Sequence, residues 1–291
     1  MRREHLRDSF ELWGGKLMNL RILQSRVALL FAASALLALA APARVSAQFG
    51  PPPPAAKPPN PRLIAPQDFT GYWVSIITED WRYRMITADK GDYGGVPLTQ
   101  QGHALAEAWD PAKDAADGNQ CRAYGAAGIM RMPTRLHITW QDDNTLRVET
   151  DAGMQTRLFH FNATAPENMK PEWQGYSAAS WEGLPAGGMF RIPTTLLGPG
   201  GGPHGASEGY LKVITTHMRP GYLRKNGAPY SGNAVLEEYF DSFKEANGDT
   251  WLVVTAIVTD PENLYQPFIT SDQFKKQADA TGWDPTPCEA K

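Results

Sequence analysis

The sequence predicts an all-β domain whose antiparallel sheet is closed, or nearly closed, into a barrel, with one or two short helices. Three observations predict it. Period-two stretches rich in β-branched and aromatic residues recur along the chain. Short Asn/Asp/Gly turns join consecutive stretches into hairpins. There is no βαβ rhythm and no G-x-G-x-x-G after a strand, which argues against a nucleotide-cofactor fold. A two-sheet sandwich is the alternative architecture.

Residues 69–77 (FTGYWVSII) read as the first strand. Residues 81–86 (WRYRMI) alternate large apolar side chains with arginine, so they also read as a strand. That reading puts Trp81, Tyr83 and Met85 on one face and Arg82 and Arg84 on the other. Residues 98–109 form the clearest helix, with Thr99 as N-cap, Leu105, Ala108 and Trp109 on one face, and Pro111 as its end. A β-meander follows at 136–140, 145–150 and 155–161, turning at Asp142-Asp143-Asn144 and Ala152-Gly153. Further strands are expected at 176–182, 209–217, 234–243 and 250–259, the last two joined through Asn247-Gly248-Asp249. Residues 183–208, with Gly-Pro-Gly-Gly-Gly-Pro at 198–203, read as a long irregular loop or lid.

The ends are organised differently. Residues 27–41 are almost wholly apolar, follow Arg21 and Arg26, and precede Val45-Ser46-Ala47. This is the pattern of a secretory signal peptide over 1–47, with Met18 as the expected true start. The apolar run is too short to span a bilayer, so the mature protein is expected to be periplasmic or secreted, with no membrane insertion after cleavage. Residues 48–67 form a proline-rich tether, a spacer with no core of its own. A single β-rich domain is expected over 68–291.

The chain has 28 Lys+Arg and 31 Asp+Glu, of which 1–47 hold seven and three, so the remainder carries a net charge of −7. An acidic domain without a basic stripe argues against nucleic acid as a partner. Both cysteines, Cys121 and Cys288, lie in the mature chain. In an oxidising compartment two cysteines default to one disulfide, worth about 4–5 kcal/mol in the loop-closure picture. The alternative is two free thiols or a metal pair, but neither cysteine sits in metal-ligand spacing.

Two resemblances add to this reading. Gly71 and Trp73 stand as in the G-x-W signature that opens lipocalin barrels, where the tryptophan plugs the closed end beneath a ligand cavity. That resemblance implies a lipocalin-like barrel. Over 94–288 the order of motifs resembles a family of exported bacterial β-rich proteins without an established activity. Its marks are Gly95-Val96-Pro97, Asp110-Pro111, Cys121, Gly125, Met130-Arg131-Met132-Pro133 and Glu149 with Arg157. They continue with Ser177, Ser180-Trp181-Glu182-Gly183, Gly227-Ala228-Pro229-Tyr230-Ser231, Glu237-Glu238-Tyr239-Phe240, Asp260-Pro261 and Cys288. It implies an exported β-rich fold and no particular reaction.

Chemistry must therefore be read from side chains. On the meander, Leu136, Ile138, Trp140, Leu146 and Val148 share one face. His137 and Glu149 stand on the other, and Arg157 on the third strand is placed with them. If that face lined a cavity, a carboxylate or imidazole base beside an arginine could handle an enolate. Otherwise it is an outer face with cross-strand ion pairs. Arg82 and Arg84, spaced by two, are a candidate anion clamp or simple ion-pair partners. No histidine pair has metal-ligand spacing, no G-x-S-x-G elbow occurs, and neither a metal nor a cofactor is expected.

Nine Trp, ten Tyr and eleven Phe suit either a core or a flat-walled pocket. Trp81, Tyr83, Trp140, Trp181 and Glu182 are the ligand-binding candidates, the last two at a cavity mouth beside the glycine-rich loop. The leading expectation is a binding protein for a small hydrophobic or aromatic molecule. The others are a cofactor-independent isomerase, cyclase or lyase using Glu149 or His137, and an envelope scaffold. Oligomeric state is not specified by the sequence.

Overall fold

The computed structural model describes residues 58–183 and 209–290. The expected leader, residues 48–57 of the tether and residues 184–208 of the glycine-rich loop lie outside the described residues. Nine strands form a closed barrel. In chain order they are β1 (Gly71–Ile76), β2 (Arg135–Asp142), β3 (Thr145–Thr150), β4 (Thr156–Phe161), β5 (Tyr176–Glu182), β6 (Tyr210–Thr216), β9 (Val235–Lys244), β10 (Thr250–Thr259) and β11 (Phe268–Gln277). Around the barrel the order is β1-β11-β10-β9-β6-β5-β4-β3-β2 and back to β1. Two short strands, β7 (Gly221–Tyr222) and β8 (Pro229–Tyr230), pair outside it. The closed sheet decides against the sandwich.

The ladder is antiparallel except at β4–β5, which run parallel. A parallel neighbour needs a crossover rather than a tight turn, and residues 162–175 supply it. Nine strands with a parallel pair depart from a simple eight-strand barrel. The strand β11 is not among the expected strands, and its inward positions, Phe268, Thr270, Asp272 and Phe274, give the reason. Two polar residues in the buried row hide the period-two signal.

Residues 81–86 are the clearest correction. They form a one-turn helix, α1 (Trp81–Arg84), not a strand. Asp80 enters it in the left-handed region at φ 48°, and its carbonyl accepts from Tyr83 and Arg84. The cause is tertiary: Arg84 turns into the barrel end, where it meets Asp272. The long helix is present as α2 (Gln100–Glu107), with the Thr99 side chain accepting from Gly102 N at 3.0 Å. It stops at its C-cap Ala108, short of the expected 109, and Pro111 instead opens α3 (Pro111–Ala116), capped by Asp110. A 3-10 turn at Arg122–Tyr124 leads into α4 (Ala126–Ile129). The last residues of the tether dock: Pro61 and Gln67 are buried, and the Gln67 amide bonds Gly209 O and the Asp241 carboxylate.

The barrel is filled, not hollow. Trp73, Leu136, Ile138, Leu146, Val148, Phe159, Leu211, Phe240, Leu252, Val254 and Phe274 form one buried cluster. Trp140, Phe161, Trp181 and Phe69 close one end by ring contacts. The other end is polar. Arg157 donates from Nη1 to Glu238 Oε1 at 2.8 Å and from Nη2 to Thr215 Oγ1 at 3.3 Å, with Ser177 Oγ 2.8 Å from Thr215 Oγ1. All four residues are buried.

Beside them, Arg84 Nη2 lies 3.0 Å from Asp272 Oδ1. Burial, partly offset by Arg84 and Arg131, pushes the Asp272 carboxyl up to about 6 from 3.8. Between those values the folded protein holds a proton that the unfolded chain has released. Stability from this group is therefore present below about pH 4 and lost as pH rises through 6. Comparing urea unfolding of wild type and Asp272→Asn cancels the other titrating groups. The wild type should lose about 2–3 kcal/mol relative to the variant between pH 4 and pH 7. A constant difference would show that Asp272 stays ionised throughout.

Candidate functional site

The meander does not build the site expected of it. His137 and Glu149 do meet, with His137 Nδ1 3.2 Å from Glu149 Oε2, but on the outer wall. Tyr72 stacks on the His137 ring at 4.2 Å, and Arg147 donates to Glu149 Oε1 at 2.6 Å. Arg157 faces the opposite way, because it pairs with inward-facing Val148 across β3–β4 while Glu149 pairs with Thr156. Strand alternation thus separates Arg157 from the other two by the full thickness of the sheet.

The arginine clamp is also not formed. Arg82 pairs with Asp92 at the surface and Arg84 is buried on Asp272. In a helix, residues two apart point to different sides. Trp81 is exposed, whereas Tyr83 donates to Asp92 Oδ1 at 3.0 Å. Trp140 and Trp181 pack against the barrel core, and Trp181 Nε1 donates to Pro61 O at 2.8 Å. Glu182 accepts from Ser180 Oγ at 2.9 Å.

A different site lies outside the barrel. A cleft of about 460 Å³ opens between α2, α3 and the β7–β8 pair. Its apolar walls include Leu105, Trp109, Tyr222 and Tyr230; its polar groups include Asp110, Lys113, Asp114, Asp117, Arg122, Glu262 and Asn263.

Close backbone packing sets these walls. A Cβ on Gly102 would come within 2.4 Å of Asn263 O, so α2 presses directly on the loop after β10. Thr99 N donates to Asn263 O and Thr99 Oγ1 to Glu262 O. Gly227 has φ +88°, and a Cβ there would strike Trp109 at 2.3 Å, so only glycine allows the indole to lie where it does.

The cleft wall carries a closed hydrogen-bonded triad. Arg122 Nη1 donates to Asp114 Oδ1 at 2.7 Å and to Tyr222 OH at 3.0 Å, and Tyr222 OH donates to Asp114 Oδ2 at 2.7 Å. Burial first, then the bond to Asp114, pushes the Tyr222 phenol up to about 12. Tyr222 is therefore a fixed donor, not a base, at neutral pH. Beneath it Tyr230 is buried, and burial raises its phenol too.

At the far wall Asp260 accepts from Ser231 N at 2.7 Å, Ser231 Oγ at 2.8 Å and Asn263 Nδ2 at 3.1 Å, which locks the loop carrying Glu262. The disulfide Cys121–Cys288, with Cα atoms 5.1 Å apart, anchors the residue next to Arg122. Four carboxylates face two cations here, so the cleft is acidic.

None of the cleft-lining residues was a ligand candidate in the sequence. The usable signal was the ordered motif series, since Asp110-Pro111, Cys121, Pro229-Tyr230-Ser231 and Asp260 converge on this cleft and its supports. Among the described residues, no three His, Cys, Asp or Glu side chains converge as metal ligands, and no helix is long and apolar enough to cross a membrane.

Fold and site together define a class: a closed, side-chain-filled β-barrel with an external aromatic and acidic cleft, stapled by one disulfide. No family model, curated protein or solved structure matches the chain.

Proposed function

We propose that this is an exported protein that binds a small aromatic or apolar molecule bearing a cationic group, in the external cleft rather than inside the barrel. The observation that carries the reading is the cleft itself. Its volume of about 460 Å³ falls in the range of small-molecule sites, and it sets the Trp109 and Tyr222 rings beside an excess of carboxylates. An apolar body would pack on the rings, and an ammonium group would gain from the carboxylates and from cation–π contact. The Arg122–Asp114–Tyr222 triad keeps the wall in place without the ligand, so little ordering is lost on binding. Export accords with the disulfide, which persists in oxidising compartments, and with the leader.

The test is NMR of the mature protein with ¹⁵N-labelled tryptophan, titrated with 2-naphthylmethylammonium and, separately, 2-naphthoate. The Trp109 indole resonance should shift saturably with the ammonium, and the carboxylate should bind about tenfold more weakly or worse, a difference of about 1.4 kcal/mol. A Trp109→Ala variant should bind the ammonium about tenfold more weakly. An unmoved Trp109 resonance, or preference for the carboxylate, overturns the reading.

A further inference from the structure

At the polar end of the barrel, three guanidinium groups converge on a small cavity of about 20 Å³, lined by Tyr83, Arg84, Arg131, Leu223, Arg224 and Lys225 among others. We propose that this cavity is a binding site for one halide-sized monovalent anion, chloride in the exported protein's surroundings. The proposal does not rest on the function of the cleft.

Three observations support it. The first is unmet hydrogen bonding. Arg84 Nη1 and Arg224 Nε are buried and make no hydrogen bond, and both side chains line the cavity. Their side chains are 1% and 4% exposed, so bulk water does not satisfy them. Buried N–H donors left without an acceptor are costly and call for one.

The second is charge. Arg84, Arg131 and Arg224 face two carboxylates at close range. Asp272 lies 3.0 Å from Arg84 and 4.0 Å from Arg131; Asp80 lies 3.0 Å from Arg131 and 3.7 Å from Arg224. Glu79 and Asp92 act on Arg84 and Arg224 from beyond ion-pair distance, and Asp92 is also engaged by Arg82 and Tyr83. Arg157 and Glu238 neutralise each other. At ion-pair distance three buried guanidinium groups thus meet two carboxylates, and a monovalent anion in the cavity offsets that local imbalance. The aromatic faces of Tyr83 and Phe268, 3.9 Å and 5.9 Å from the Arg224 guanidinium, offset only part of the cost.

The third is size. The cavity holds one water-sized particle and little more. That size suits a halide better than phosphate, sulfate or an organic carboxylate. The like-charge strain is visible in the guanidinium groups, since burial and the neighbouring Arg131 both lower the Arg84 and Arg224 pKa values.

The experiment is thermal unfolding of the mature protein at constant pH and ionic strength, with sodium gluconate replaced stepwise by sodium bromide. Crystals grown in bromide are measured in parallel at its absorption edge. Tm should rise saturably by about 3–6 °C, and an anomalous peak should stand between Arg84 and Arg224. The bromide increment should vanish in Arg224→Met, and the crystallographic arm reads the site in wild type even where that variant folds poorly. A flat or falling Tm, an increment that persists in Arg224→Met, or the absence of a bromide peak from the cavity overturns the proposal.

Discussion

Glu238→Ala should destabilise the barrel by about 3–5 kcal/mol, the expected cost of leaving one member of a buried ion pair alone. Glu238 is fully buried and is the sole carboxylate in salt-bridge contact with Arg157 among the described residues. Arg157 has no route to water, its side chain being wholly buried. Its Nε already lacks a hydrogen-bond partner. Removing Glu238 leaves a desolvated guanidinium with one hydroxyl, Thr215 Oγ1, and the face of Phe159.

The double variant Arg157→Met/Glu238→Leu separates the explanations. It removes both charges and keeps volume in the core, and Thr215 still has Ser177. It should recover most of the loss, because apolar replacements of buried pairs are often neutral or stabilising. Denaturant midpoints of the three proteins check this. A double variant as weak as Glu238→Ala would mean that the pair contributes net stability, and that unpaired charge is not what the single substitution exposes.

Cys121→Ala/Cys288→Ala is the second large effect, about 2–5 kcal/mol of stability lost, with native-state strain setting how far below the loop-closure value it falls. The bond spans 167 residues of sequence, so it restricts the unfolded chain strongly. It also has a local consequence. The C-terminal segment is held by Thr286 N on Asp151 O, by the ring contacts of Trp283 with Tyr72 and His137, and by the disulfide. Without the disulfide the first two contacts remain, but the 3-10 turn that carries Arg122 loses its covalent anchor. The Arg122–Asp114–Tyr222 triad should loosen, and binding of 2-naphthylmethylammonium should weaken more than the stability loss alone accounts for at temperatures where the variant is folded. Calorimetry and the Trp109 titration measure the two effects separately. Unchanged affinity in a folded variant would show that the triad holds itself.

Most of the barrel was readable from residues 69–77, 136–161 and 234–259, because one apolar face and tight Asn/Asp/Gly turns impose a two-residue period. The disulfide was readable from cysteine number and an expected oxidising compartment. Three features were not. WRYRMI alternates as a strand would, yet folds as helix α1 because Arg84 finds Asp272, nearly two hundred residues away. The strand β11 was hidden by inward Thr270 and Asp272, which are tolerable only where arginines from other segments meet them. Arg157 was placed with Glu149 because the register across β3–β4 was unknown. A one-residue slip in register exchanges the two faces of a strand.

The sequence by itself determined the all-β class, a helix within 98–109, the hairpins and the cysteine pair, since these follow from local periodicity, turn chemistry and residue counts. Only the tertiary structure decided which polar residues share a space. Barrel closure brings Arg84, Arg131, Arg157, Glu238 and Asp272 together at one end. The packing of α2 and α3 against the loops after β7 and β10 makes the cleft. Both arrangements depend on contacts between segments far apart in the chain, and side-chain periodicity carries no information about which segments will meet.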